Sequence, residues 1–324
     1  MRSLRMINKS FLFLLSRLAV IGFLVIAVGC QKREEAVATP QTITDRILED
    51  SQFNLFRSAV AYAGVGDALK AGNMTLFAPN DAAFQASGIS SFAAILAMPQ
   101  DQVRSLVLYH LLYGRASATA IPAGLNSVQM ASQSTAFINK TNDGSIYVNN
   151  AKLTQTDIVV ANGYIHVVDR LLNPATGNLL TTVQNNPNLT FLSAALKRIS
   201  ASNPSVLSAL NATSVNNAVT VFAPSDAAFR ADKTYNSLSA IETANVQTLT
   251  NTLLYHVVSG VLFSNQLQSG SLTTLLSGNK VTVTTTTNQI TLKGNKNATA
   301  ATIKQADLPT TNGVIHIIDQ VLLP

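Results

Sequence analysis

The sequence predicts an α+β fold written twice in tandem. Helical spacing clusters early in each half of the chain, strand-like runs cluster late, and three landmarks recur in the same order. Thr75 to Phe84 (TLFAPNDAAF) returns as Thr220 to Phe229 (TVFAPSDAAF). Tyr109-His110 returns as Tyr255-His256, and Asn162 to Asp169 (NGYIHVVD) returns as Asn312 to Asp319 (NGVIHIID). The offsets are 220 − 75 = 145, 255 − 109 = 146 and 312 − 162 = 150, so the copies stay in register with small insertions. A residue repeated in both copies serves something both need, which is first of all the fold.

Copy one is expected over 42–174 and copy two over 175–324, joined only by Asn173-Pro174-Ala175-Thr176-Gly177. So short a link predicts closely held domains. At the start of copy one, Ile43, Ile47 and Leu48 have helical spacing, with Thr42 or Thr44 as cap and Asp45 in the first turn. Phe53, Phe56, Val60 and Ala61 carry an apolar face through the next helix, which Gly64 and Gly66 punctuate. Thr75-Leu76-Phe77 reads as a strand that Pro79 ends. Asn80, and Ser225 in copy two, are natural N-caps, with Asp81 and Asp226 at the favourable end of the helix dipole.

Val103, Val107 and His110 stand at i, i+4 and i+7, as do Leu249, Leu253 and His256. That places each histidine on a core-facing stripe and its neighbouring tyrosine about 100° away. A hairpin follows: Phe137-Ile138 and Ile146-Tyr147-Val148 flank Asn142-Asp143-Gly144, and copy two offers Val281 to Thr284 and Ile290 to Leu292 around Asn288. Tyr164 to Leu172 and Val314 to Leu323 are nearly continuous apolar runs of the kind covered on both faces.

Charged residues are only 12%, against about 25% in an average globular protein. Thr, Asn, Ser and Gln fill the polar positions, as in secreted β-containing surfaces. The formal charge of +6 is misleading, because Arg2, Arg5, Lys9 and Arg17 lie in an N-terminal leader. Without them 22 − 4 = 18 basic residues face 16 acidic ones, and no basic stripe argues for nucleic acid. The leader has a basic start, an apolar run from Leu18 to Val28 and small residues at Gly29-Cys30, so 1–29 reads as an export signal. Ala27-Val28-Gly29-Cys30 resembles a bacterial lipobox, although Ala27 stands where that motif favours Leu. The resemblance implies lipidation of Cys30, the only cysteine, and a lipidated tether over 30–41. Gln31-Lys32-Arg33-Glu34-Glu35 is a solvated linker that also resembles the signal sending some Bacteroidetes-type lipoproteins to the outer face of the outer membrane. The implied place is the envelope of a Gram-negative bacterium, with the periplasmic face of the outer membrane as the alternative.

The Phe-Ala-Pro-x-Asp-x-Ala-Phe box, the Tyr-His pair and the closing Asn-Gly-x-Ile-His-x-x-Asp box together resemble the fasciclin domain, twice over and across nearly all of 42–324. The resemblance implies two compact wedges, each a β-sandwich of about seven strands with helices along one edge. It implies adhesion modules that bind proteins, matrix polymers or membranes, and no enzyme. In animal members the region around the Tyr-His pair is tied to integrin binding, which falls here on Tyr109, His110, Tyr255 and His256. A second adhesive element, an Asp-Ile pair before the last box, matches Asp157-Ile158; copy two departs with Asp307-Leu308 followed by Pro309. These eight residues are the candidate partner-binding positions. The competing reading is structural: duplicated residues on core stripes specify the fold, and His166 and His316 inside apolar strands serve a backbone carbonyl or a carboxylate.

No Gly-x-Ser-x-Gly elbow, phosphate-cradling Gly-x4-Gly-Lys loop or His-Glu-x-x-His helix occurs. The four histidines lack metal-ligand spacing, so no catalytic residue, metal or cofactor is expected. The expected function is a non-catalytic, envelope-anchored adhesion protein with a protein or extracellular polysaccharide partner and a membrane contact through its lipid. The alternative is a periplasmic small-ligand or polymer binding protein serving export or uptake.

Overall fold

The computed structural model describes residues 40–200, 202 and 217–324. The leader, Cys30 and the tether up to residue 39 lie outside the described residues. From Gln41 onward the chain forms one compact unit built from the two copies.

Copy one begins with helix α1 (Ile43–Glu49), whose cap is Thr42. Its hydroxyl accepts from the Asp45 amide, and the Asp45 carboxylate accepts from the Thr42 amide, a reciprocal capping box. Helix α2 (Asn54–Ala63) buries Phe56, Ala59, Val60 and Ala63. Ala61, expected on that face, points to solvent instead, and Gly64 ends the helix at φ +64°. Then come β1 (Met74–Pro79), α3 (Asp81–Ala86), α4 (Phe92–Leu96), α5 (Gln100–Tyr109) and strands β2 (Leu111–Tyr113), β3 (Gly124–Gln129), β4 (Thr135–Lys140), β5 (Ile146–Val148), β6 (Ala151–Val160) and β7 (Gly163–Val168).

Copy two repeats the order with α6 (Leu179–Asn185), α7 (Thr190–Ser200), β8 (Val219–Pro224), α8 (Asp226–Ala231), α9 (Leu238–Thr243), α10 (Val246–Tyr255), β9 (Val257–Ser259), β10 (Gly270–Thr273), β11 (Lys280–Thr285), β12 (Ile290–Lys293), β13 (Ala301–Thr310) and β14 (Gly313–Ile318). The last apolar runs are strand only as far as Val168 and Ile318. Beyond them Leu172 and Leu322 are buried as coil.

Each copy hydrogen-bonds seven strands, in the orders β2-β1-β7-β6-β5-β4-β3 and β10-β11-β12-β13-β14-β8-β9. The one parallel pairing in each sheet joins β1 to β7, and β8 to β14. The sheet folds over along β6, whose start pairs with β5 while Leu153 to Val160 pair with β7 across two register shifts. The two halves therefore face one another as a sandwich. Phe77 and Val168 from one half pack against Ala136, Ile138, Ile146 and Val148 from the other. A second core lies on the opposite face of β1 and β7, where Leu76, Ala78, Ile165 and Val167 meet α1, α2 and α5. Copy two builds the same pair of cores. The fold is α+β, in layers of helices, half-sheet and half-sheet.

The Asn-Gly step before the last strand has a steric cause. A Cβ on Gly163 would stand 1.9 Å from the Met74 carbonyl oxygen, and one on Gly313 would stand 2.0 Å from that of Val219. The preceding Asn162 accepts from the Ile43 amide and donates to the carbonyls of Leu69 and Ala71, tying α1 to the sheet end.

Candidate functional site

The Tyr-His pair ends helix α5 between the two cores. Successive helical residues diverge by about 100°, so His110 enters the helix-side core while Tyr109 enters the sandwich core. Both are fully buried. The His110 ring packs edge-on to Phe56. Its Nδ1–H donates to the Leu106 carbonyl at 2.8 Å, and its Nε2 accepts from the Leu172 amide at 3.0 Å. His256 does the same with Thr252 and Leu322. These partners fix the neutral Nδ1–H tautomer, and burial pushes both rings down to about 4. Tyr109 donates its hydroxyl to the Thr135 carbonyl and accepts from Asn149, and burial raises it to about 12. Tyr255 donates to the Lys280 carbonyl and accepts from the Asn295 amide.

The other two histidines carry the opposite tautomer. His166 donates from Nε2 to the Ala116 carbonyl at 2.8 Å and accepts at Nδ1 from the Asp157 amide at 3.1 Å. His316 repeats this with Leu262 and Asp307. Burial holds both below the ordinary histidine value. All eight ring nitrogens of the four histidines are therefore taken by backbone groups.

Asp157 and Asp307 reach their histidines through a left-handed backbone, at φ +58° and +63°, inside the irregular stretch of β6 and β13. Aspartate is one of the few side chains that tolerates this region. The Asp157 carboxylate accepts from the Ala118 amide at 2.8 Å. That of Asp307 accepts from the Ser264 amide at 2.7 Å, from the Ser264 hydroxyl, and from Asn150 of copy one at 3.1 Å. Ile158 and Leu308 are half-buried and pack on the helix-side cores. Asp157-Ile158, a candidate partner-binding pair, is thus a bulge bolted to the fold. The residue in that segment that stands in solvent is Val159, 69% exposed. Tyr109, His110, Tyr255 and His256 likewise present no side-chain surface to a partner, because two cores consume them.

The repeated aspartates of the first box do more than face a helix dipole. Asp81 accepts from the Leu55 amide at 2.8 Å, and Asp226 accepts from the Phe191 amide and the Thr190 hydroxyl. Each clamps the start of the longer helix α2 or α7 to the strand-turn-helix unit, whose own caps are Asn80 and Ser225.

What the sequence reading missed is the contact between the copies. Phe137 lies on β4 between inward-facing Ala136 and Ile138 and so points out of the copy-one sandwich. It is buried against Ala218, Val261, Phe263 and Val314 of copy two, with the Phe137 and Phe263 rings 6.3 Å apart. The corresponding end of copy one is open. Matching hydrogen bonds make Asn73 the counterpart of Ala218, and Arg115 the residue before the histidine-bound carbonyl, as Val261 is. Tyr164 pairs with Thr75 as Val314 pairs with Thr220. The Arg115 guanidinium lies 5.2 Å over the Tyr164 ring. The signal was present in the sequence as mismatch between copies, but only spatial alignment collects these scattered positions on one surface.

The chain is thus two α+β sandwich wedges of one type, joined face to end, with the four histidines buried in the cores. The Fasciclin domain family matches residues 51–174 and 187–324, and the chain belongs to that family. Among relatives, human periostin is 31% identical over 169 residues, which are 52% of this chain and 20% of periostin. Transforming growth factor-beta-induced protein ig-h3 of Sus scrofa is 24% identical over 255 residues, 78% of this chain and 35% of that protein. Protein sll1483 of Synechocystis is 35% identical over 144 residues, 44% of this chain and 78% of its own length. The chain thus spans at most about a third of periostin and ig-h3. A solved FAS1 domain pair from the insect cell adhesion molecule Fasciclin I covers 85% of this chain and 97% of its own at 19% identity, with a TM-score of 0.41.

Proposed function

We propose that this protein is a non-catalytic, envelope-anchored interaction protein, lipidated at Cys30, that presents two fasciclin domains to a protein or polysaccharide partner. The observation that carries this reading is the fate of the repeated residues. Every repeated histidine spends both ring nitrogens on backbone groups of its own fold, and the repeated tyrosines are buried beside them. General acid-base work needs a titratable group with a free face in a site that substrate reaches, and the buried histidines and tyrosines have none. Partner recognition then falls to surfaces where the copies differ. One is a cleft of about 510 Å³ in copy two beside Asn188, Ser225, Arg230, Lys304 and Gln305. Copy two also carries the basic excess: eight Lys and Arg against five Asp and Glu over 175–324, compared with eight against nine over 42–174.

The test is capture by residues 36–324, produced as a soluble protein, from envelope and extracellular material. Retention of one protein or polysaccharide, weakened by reversing Arg230 and Lys304 with the melting curve intact, supports the reading. No retention from either source sinks it. Protease treatment of intact cells then separates display at the outer face, where the protein is lost, from residence at the periplasmic face, where it survives.

A further inference from the structure

We infer that the open end of copy one rests on the phospholipid headgroups of the membrane that holds the lipid anchor. The inference depends on the anchored reading above and adds an orientation and a contact surface to it. In copy two the equivalent end is apolar and sealed: Ala218, Val261, Phe263 and Val314 are buried under Phe137. In copy one the same positions hold Asn73, Arg115, Ser117 and Tyr164, so this end is not built to take another dry domain contact. Val159, directly opposite Tyr164 in the β6–β7 ladder, is 69% exposed.

An apolar side chain, a tyrosine and an arginine form the mixture that suits a headgroup boundary. Aromatic rings with a polar tip sit at that depth, and a guanidinium binds phosphate oxygens while its stem stays in apolar surroundings. Arg115 makes no ion pair among the described residues. Its nearest polar contacts are the Val160 and Gly163 carbonyls at 3.4 Å, so its charge is available. The carboxylate in the same segment, Asp157, is turned inward to the Ala118 amide.

The entry point of the chain selects the occupant. The Gln41 carbonyl accepts from the Ala161 amide at 2.8 Å, in the β6–β7 turn beside Val159. The interdomain link reaches copy two at the matching turn, where Gly177 accepts from Thr311. What precedes copy two through that turn is copy one, which covers its end. What precedes copy one is the segment carrying Cys30, 41 − 30 = 11 residues upstream, a reach of about 40 Å at most. The surface waiting at that turn therefore faces the anchor.

The lipidated full chain in vesicles of phosphatidylethanolamine and phosphatidylglycerol tests this. With Cys30 acylated, a new cysteine is the only free thiol, so V159C and T282C each take a single fluorophore; Thr282 is the copy-two counterpart of Phe137 and lies at the far end. Quenching by a lipid-borne quencher should be several-fold stronger at position 159 than at 282, and the R115E/Y164S pair should reduce it. Equal quenching, or quenching indifferent to that pair, overturns the orientation. Protection of position 159 that grows with protein density and without lipid quenching makes a second copy the occupant and also overturns it. A chain that carries no lipid by mass spectrometry overturns the anchored reading itself.

Discussion

The two copies agree inside and disagree outside. Copy one and copy two hold the same four devices in their cores: a strand-turn-helix clamp, a Tyr-His junction, a histidine-aspartate bulge and an Asn-Gly step. Their surfaces were free to diverge, and did so where position in the tandem matters. Phe137 is buried at the interface while its counterpart Thr282 is exposed, and Val261 is buried while its counterpart Arg115 lies in the open end. One interior difference stands out. Leu192 occupies the place of Phe56, and a narrow apolar void of about 20 Å³ lies beside it, next to His256. Duplication preserved what folds the domain and released what meets the outside.

The strongest way to break this equivalence is at the close approach of backbones. Gly163→Ala and Gly313→Ala should each cost more than about 4 kcal/mol, because a carbonyl has no room to retreat from a methyl group at about 2 Å. Urea unfolding should show loss of the mutated copy. A variant of normal midpoint would mean the two strands separate easily there. The second test concerns the interface. Phe137→Ala should lower stability by about 3 kcal/mol or more and split the melting transition, as expected for a buried aromatic. Thr282→Ala should stay within about 0.5 kcal/mol. Equal effects would erase the polarity of the tandem.

Acid should act on both copies alike. An ordinary histidine titrates near 6.5, whereas His110 and His256 are held at about 4 when folded. The unfolded chain therefore takes up protons first as pH falls. The contribution of each ring is full above about pH 6.5 and is lost progressively toward pH 4, about 3 kcal/mol for each. His166 and His316 shift in the same direction and add to the loss. Urea midpoints at pH 7.5 and 4.5 check this, and a midpoint flat over that range would contradict the sealed-ring geometry. The smallest expected effect is at the void: Leu192→Phe should stabilise copy two by about 1 kcal/mol, and Phe56→Leu should cost copy one a similar amount. A destabilised Leu192→Phe would show that the copy-two core has closed around its smaller residue.

Much of this architecture was legible along the chain. Asn80 and Ser225 cap helices because their side chains act three residues away, within the reach of local pattern. The histidine stripe was readable because a helix repeats its core face. What escaped was nonlocal. One stripe announces one core, so Tyr109 read as pointing away from the interior when it enters a second one. Asp81 spends its carboxylate on an amide 26 residues upstream. Asp157 stood as a candidate for partner contact because sequence alone does not register the left-handed turn that folds it onto His166. The expected leader and anchor rest on composition and on Cys30 alone, and they lie outside the described residues.

The parallel pairing of first and last strands has a kinetic consequence. Met74 meets Gly163, 163 − 74 = 89 residues later, and Val219 meets Gly313 after 313 − 219 = 94. Loop closure must precede any reward from such contacts, so domains of this wiring fold slowly for their size. Neither domain can complete its central ladder until its last strand is available. A chain threaded through a membrane channel would thus stay extensible during passage and commit to structure only once each wedge had wholly emerged on the far side.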